Sequence, residues 1–466
     1  MLKDLWYILY MSLDIFRKKH YVEEQKLLRE VKATELVLMG VGAIIGAGIF
    51  VITGMAAATM AGPGIVLSFI LGAISLGISA FAYAELGSAI PVSGSAYSYT
   101  YSFLGEIIAW LVGWNLVLEY GISTAAVAVG WSSYFRSFLK NSFGITLPHA
   151  LTGAYNPSAG TYIDISAFLI ILFMFVILLL GIKESAFVSS FVVVLKILVL
   201  IIFVVFALPN INFKNYKDFL PYGISGVWHA TGLIIFAYLG FDAVSTVAEE
   251  VKNPQRDLPI GLIGSLSLST FLYIVVSFTL TGVVNYKELN VPDAIAFAME
   301  KLNMHFIASI ISIGAVITIT SVIMVMGLGF TRVIYALSRD GLLFESLSDI
   351  HPKFGTPHKA TIVGALVLSL AAGLFPLKDL AEMVNIGTLF AYFMVGISVV
   401  LLRKSKDYNP KFRMPMAKIL LPLNLFTLLL IMAGLPLLTW IRFLVWCLVG
   451  LLIYIFYGYK HSQLNR

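Results

Sequence analysis

From residue 34 onward the chain alternates long runs of apolar residues with short polar connections, and the runs set the architecture. Each run is continuous and about 20 residues or longer, the length a helix needs to cross the hydrocarbon of a bilayer. Twelve spans are predicted, at roughly 36–60, 62–88, 103–135, 163–181, 185–208, 227–250, 258–284, 304–337, 359–377, 380–401, 415–433 and 437–458. A transmembrane barrel would show instead alternating segments of about ten residues. Lipid permits only these two solutions, because an unpaired main-chain group in hydrocarbon costs several kcal/mol. The pattern therefore predicts an all-α integral membrane protein.

The first 33 residues differ. The stretch "LWYILYMSLDIF" is short, is interrupted by Asp14 and is followed by Arg17, Lys18 and Lys19. A signal peptide carries its basic residues before the apolar core. Residues 1–33 are expected to form an amphipathic segment lying along the membrane face. The longest connection after them, about 136–162, holds Gly, Pro and Asn and too little else for a soluble domain.

Composition supports this reading. The chain is 59% hydrophobic and 12% charged, with mean hydropathy +0.92. An ordinary soluble domain is about 45–50% apolar and about 25% charged. The net charge of +6 would suggest nucleic acid only if the basic residues shared a soluble face. They lie in the connections. With the N-terminus inside, 22 of the 31 Lys and Arg fall on inner segments or span ends and 8 on outer ones, with Lys196 left over at the centre of a span. That bias predicts cytoplasmic termini. The single cysteine, Cys447, sits in an apolar run, and the seven histidines show no metal spacing.

Function must then reside in polar groups within the spans. The first span reads "LVLMGVGAIIGAGIFVITG", with Gly40, Gly42, Gly46 and Gly48 crowding its middle. Glycine costs about 1 kcal/mol relative to Ala in a helix interior, so the run predicts unwinding there. Close helix packing explains a pair four apart, and less well the sequence Gly46-Ala47-Gly48. A dinucleotide fingerprint has different spacing and follows a strand. The sixth span carries Gly240 near its middle, followed by Phe241 and Asp242. Interrupted spans at corresponding places in two halves are the best sequence pointer to a transporter's binding site. Spans one and six stand five apart, as an inverted 5+5 repeat requires. A broken helix frees amides that suit a carboxylate and carbonyls that suit an ammonium. A free amino acid carries both groups.

Several longer motifs occur in order: "GVGAIIGAGIFVITG", "AGPGIVLSFI", "YAELGSAIPVSGSAYSYTY", "GWNLVLEYGIS", "IIFAYLGFDAVSTVAEEVKNPQRDLPIG", "ALSRDGLL" and "NIGTLFAY". Through them the chain resembles, over about residues 34–460, the cationic amino acid transporter family of the amino acid–polyamine–organocation superfamily, in particular its bacterial twelve-helix members. The resemblance implies a LeuT-like fold. Residues 34–208 and 209–401 would be the inverted repeats, and 402–466 two appended helices and a short C-terminus. It also implies a multi-pass protein of the bacterial cytoplasmic membrane, monomeric, without cofactor or metal. Its partners would be an L-amino acid, a proton and lipid, with no nucleic acid. The substrate carboxylate would meet the amides of Gly46, Ala47 and Gly48, and the ammonium the carbonyls of Ile44, Phe236, Ala237 and Leu239. Phe236 would also act as a gate. Relatives often carry Thr where this chain has Ala47, which removes a side-chain contact but no main-chain one.

Lys196 lies in "SFVVVLKILVLIIF", at the centre of the fifth span. A charge at the bilayer centre costs about 2.5–3.5 kcal/mol on insertion scales, so it calls for a role or a partner. A permanent ion pair with Glu119 or Asp242 is one reading. The other is proton coupling, with neutral lysine in one state and an ammonium bonded to first-span carbonyls in another. The resembling proton-coupled branch has a fifth-span lysine at this place, which favours the second. Glu119 reads as a polar partner or gate, or as a structural hydrogen-bonding group. Asp242 reads as a cap at the break or as structural, and Glu85 as an inner gate or a solvated helix end. Met324, Met326, Phe236 and Ile44 are expected to line a side-chain pocket with no acid beside it. Glu382 lies near the outer end. A second cation so close to Lys196 would need a partner. A small or medium neutral L-amino acid is therefore expected, imported by proton symport. An exchanger without proton coupling, a cationic substrate and an amino acid sensor are the rivals. No nucleophile–base pair or phosphate loop points to an enzyme.

Overall fold

The structure, a computed structural model, describes residues 31–90, 95–181, 186–404 and 412–463. The amphipathic segment expected over 1–33 therefore falls, apart from its last three residues, outside the described residues. Among the described residues there is no strand, only three isolated bridges.

The described residues of every expected span fall on helix, apart from two interruptions and a break at Gly105. The helix α1 (Ala33–Ile44) stops at Ile45, which is extended at φ −75°, ψ 103°. The chain resumes as α2 (48–61), a short α turn between two π turns. Gly62, at φ +61°, turns it into α3 (Ile65–Ala89). The third expected span begins later than 103, because Gly105 at φ +84° breaks the chain. A separate ten-residue helix, α4 (Ser95–Leu104), precedes the break and α5 (Glu106–Phe143) follows it. Next come α6 (Ile165–Leu179), its first turn capped by Asp164 Oδ1 accepting from the Ala167 amide, and α7 (Ala186–Ala207). The second interruption follows α8 (Gly223–Ile234): a tight turn at Ile235–Tyr238, extended Leu239, and Gly240 at φ +95°. Then α9 (Pro254–Val283), the short α10 (Ala294–Lys301) and α11 (His305–Arg339) lead to α12 (His358–Leu374) and α13 (Leu377–Leu402). The last two are α14 (Ala417–Ala433) and α15 (Leu437–Ile453).

Among the described residues, eight helical segments are long and apolar enough to cross a membrane, α2 and α3 running together over Gly48–Ala89. The apolar helices α1, α6, α12 and α14 have 12 to 17 residues. At about 1.5 Å per residue these are shorter than a bilayer's hydrocarbon core. Large apolar side chains are exposed along α7, α12 and α15, among them Ile201, Val205, Leu366, Leu444 and Leu448. An apolar surface this extensive belongs against lipid. Inside, α5 lies along α11 and α9 packs on both α1 and α3, enclosing the two interrupted segments.

Those segments meet main chain to main chain. A Cβ on Gly48 would stand 2.2 Å from Ala237 Cα, and one on Gly240 would stand 2.9 Å from Ala43 Cβ. Gly42 is equally confined, since its Cβ would meet Val193 of α7 at 2.6 Å. Overlap and backbone strain separate cleanly by mutation. Gly223, at φ +66°, has open space around it; Gly48 has ordinary φ but no space; Gly240 has neither freedom. A non-glycine residue in the left-handed region costs about 1–2 kcal/mol. Thermal unfolding of purified protein in detergent should show a small fall in Tm for Gly223→Ala and larger falls for Gly48→Ala and Gly240→Ala. A Gly48→Ala protein as stable as wild type would mean that the interruptions do not touch.

Candidate functional site

A helix end leaves carbonyls without partners, and in α1 the last regular bond runs from the Ile45 amide to Val41 O at 2.9 Å. Gly42 O is the first carbonyl beyond it. The Nζ of Lys196, on α7, donates to that oxygen. The lysine is 1% exposed. An ammonium at this position also faces the negative end of the α1 dipole. The structure thus places Lys196 against the first interruption.

Two other side chains treat orphaned carbonyls in the same way. Tyr273 of α9 reaches both interruptions: its hydroxyl lies 2.9 Å from Ile44 O and 2.8 Å from Ala237 O, one phenolic proton shared between two acceptors. Asn385 of α13 donates through Nδ2 to Gly232 O at 2.8 Å and Leu233 O at 2.9 Å, the carbonyl end of α8. Ile44 and Ala237, named above as carbonyls for a substrate ammonium, therefore already accept from Tyr273. The Phe236 carbonyl accepts from the Leu239 amide at 3.4 Å within its own turn.

Between the interruptions lies a cavity of about 20 Å³, space for a single water. Ile44, Gly46, Ala47 and Gly48 line it from the first interruption, and Phe236 and Leu239 from the second. Met326 and Val322, one turn apart on α11, and Ser123 and Val127, one turn apart on α5, close the sides. Of the residues singled out from sequence, Ala237 and Met324 do not line it. Ala237 sits behind, packed on Gly48. The amides at Gly46–Gly48 lie at the start of α2, where the positive end of a helix dipole faces the cavity.

The buried acids have separate surroundings. Asp242, fully buried two residues after Gly240, accepts from Ser95 Oγ at 3.3 Å and Tyr392 Oη at 3.5 Å. Glu119 lies one turn before Ser123 on the same face of α5, and its Oε2 has no hydrogen-bond partner among the described residues. Glu85 is held by Arg403, whose Nε and Nη2 lie 2.7 and 2.6 Å from its two oxygens, and by the Met414 amide at 2.7 Å. It is a fully buried tie between α3 and the end of α13, not a solvated helix end. Glu382 accepts from Thr439 Oγ1 at 2.9 Å.

Reasoning from sequence missed Tyr273, Asn385 and Ser123. Asn385 had a signal, an amide amid "EMVNIGTLF"; Tyr273 and Ser123 had none beyond being polar atoms in an apolar span.

The amino acid permease family profile matches residues 33–456. The branched-chain amino acid permease BcaP of Bacillus subtilis is 44% identical, covering 98% of this chain and 100% of its own. The methylthioribose transporter of the same organism is 42% identical over 97% of this chain and 100% of its own. The vacuolar cationic amino acid transporter 2 of Arabidopsis thaliana is 38% identical over 81% of this chain and 60% of its own.

Tyr273→Phe leaves two buried carbonyls without their common donor and changes almost no volume. An unsatisfied buried acceptor costs about 1–3 kcal/mol. Thermal unfolding in detergent should show the loss, and a Tm equal to wild type would mean that the hydroxyl does not hold the interruptions together.

Proposed function

The chain belongs to the amino acid permease family of the amino acid–polyamine–organocation superfamily, and from that premise we propose that it imports small or medium neutral L-amino acids by proton symport. The proposed frame is twelve membrane crossings. The crossings that pair α1 with α2 and α8 with the 235–250 segment open two inverted repeats of five, and α14 and α15 are appended. On this reading α1, α6, α12 and α14 complete their crossings with the connections that flank them, and both termini face the cytoplasm of a bacterial cell.

The observation that carries the reading is the contact of two interrupted helices around a cavity with an amide end on one side. A substrate carboxylate would take the amides of Gly46, Ala47 and Gly48, and its ammonium the second lone pairs of the carbonyls at Ile44, Phe236 and Leu239, with Ala237, behind the cavity, left to Tyr273. A carbonyl oxygen has two lone pairs, so Tyr273 does not preclude this. With room for one water, the cavity must widen to admit an amino acid, and Phe236, from a short turn beside flexible Met326, is the side chain placed to swing. Lys196 couples the proton: charged, it closes on Gly42 O; neutral, it loses a strong donor and loosens α1. The wall offers the side chain apolar groups and one hydroxyl, which suits a neutral substrate and leaves a second cation unpaired. Glu119 and Asp242 serve as polar partners of the gate.

A second reading has one specific support. A relative as similar as the branched-chain permease is named for methylthioribose, a neutral thioether sugar with neither carboxylate nor ammonium.

Uptake into proteoliposomes, with a panel of labelled L-amino acids and labelled methylthioribose, tests these readings together. A neutral amino acid should accumulate when the outside is acid, and Lys196→Ala should lose that dependence while still unfolding cooperatively. Accumulation that ignores the gradient and requires preloaded substrate would identify an exchanger. Uptake of methylthioribose alone would overturn the amino acid reading.

A further inference from the structure

We propose that Ser123 is a specificity-determining residue of this site, its hydroxyl hydrogen-bonding a hydroxyl on the substrate's side chain. The assignment rests on the reading of the cavity as an amino acid site and deepens it.

Ser123 is 1% exposed and lines the cavity, and its Oγ has no hydrogen-bond partner among the described residues. Its neighbours on α5 behave differently. Thr124 bonds back to Tyr120 O at 2.7 Å, and Ser133 to Val129 O at 3.2 Å, the usual way a helical hydroxyl is satisfied. Ser123 makes no such bond, so a buried donor and acceptor stands toward the space between the interruptions. Around it the wall is apolar: Val127 on the same face of α5, Val322 and Met326 across from it, Leu239 and Phe236 at the second interruption. A lone hydroxyl in an apolar pocket is left unpaired by a purely aliphatic side chain and paired by one carrying its own hydroxyl.

The carboxylate and ammonium of every L-amino acid are served by main chain, so they do not tell threonine from valine. Those two substrates have nearly the same shape and differ by a hydroxyl in place of a methyl. One neutral hydrogen bond is worth roughly a two- to tenfold preference. The test is uptake of labelled L-threonine and L-valine by the full chain in proteoliposomes, compared as Vmax/KM. Wild type should favour threonine by that factor. Ser123→Ala should bring the ratio to about one through loss of threonine, with valine uptake kept or raised, and Ser123→Thr should keep the threonine preference. A wild-type ratio at or below one, or a ratio that Ser123→Ala leaves unchanged while both amino acids are carried, overturns the assignment and leaves the amino acid reading standing. Uptake of neither amino acid by wild type, with the protein folded, overturns the reading of the site and this assignment with it.

Discussion

The structure depends on one constraint: a helix interrupted in the middle of a membrane protein strands main-chain carbonyls where no bulk water can reach them. Each costs several kcal/mol if left alone. The chain meets this with side chains sent from other helices, two at the end of α1 and one at the end of α8. Lys196 takes Gly42 O, Tyr273 takes Ile44 O and Ala237 O, and Asn385 takes Gly232 O and Leu233 O. These donors come from α7, α9 and α13, three elements outside the interrupted segments. The interruptions are therefore supported from outside themselves, which distinguishes a built site from a local weakness in two helices.

Support alone would not bring the interruptions together. That requires the absence of side chains where they cross, and Gly48 over Ala237 and Gly240 over Ala43 provide it. Two backbones in contact put the amide start of α2 beside the turn after α8, so groups of opposite polarity line one small space. The same closeness leaves that space too narrow for anything larger than water. Under the proposed function such a site would work by exchanging partners: a carbonyl now bonded to a tyrosine hydroxyl has a second lone pair to offer, and an ammonium that holds α1 in one state would release it in another.

Much of this was legible in the sequence. The apolar runs fall on helix, and the glycine cluster of the first span and Gly240 of the sixth mark the two interruptions, because length, apolarity and glycine content act through local backbone energetics. What stayed hidden came from the tertiary arrangement. Tyr273 is one aromatic among many in "TFLYIVVSF", and only the fold shows its hydroxyl between two carbonyls. Glu85 read as an inner gate or a helix end because Arg403, its partner, lies more than three hundred residues away. The break at Gly105 was missed for a related reason: a single glycine in an apolar run is tolerated in most helices, and here its φ of +84° is fixed by how α4 turns into α5. The role of Met324 was assigned by composition, whereas helical phase places Met326 and Val322 at the cavity and Met324 off it.

The division of labour at the cavity bears on how such a site acquires a substrate. Main chain does not change with mutation, so the amides at Gly46–Gly48 and the carbonyls of the second interruption form a fixed part that any chain with this backbone presents. Discrimination has to come from the few side chains that face the same space from α5 and α11, with Phe236 between them. Those helices are long and regular, so exchanging a residue on the facing surface alters the wall without disturbing the polar frame. Lys196 stands outside that wall and touches the frame instead, through Gly42. Under the proposed function, substrate choice and coupling would be carried by different residues on different helices, and a change in one need not disturb the other.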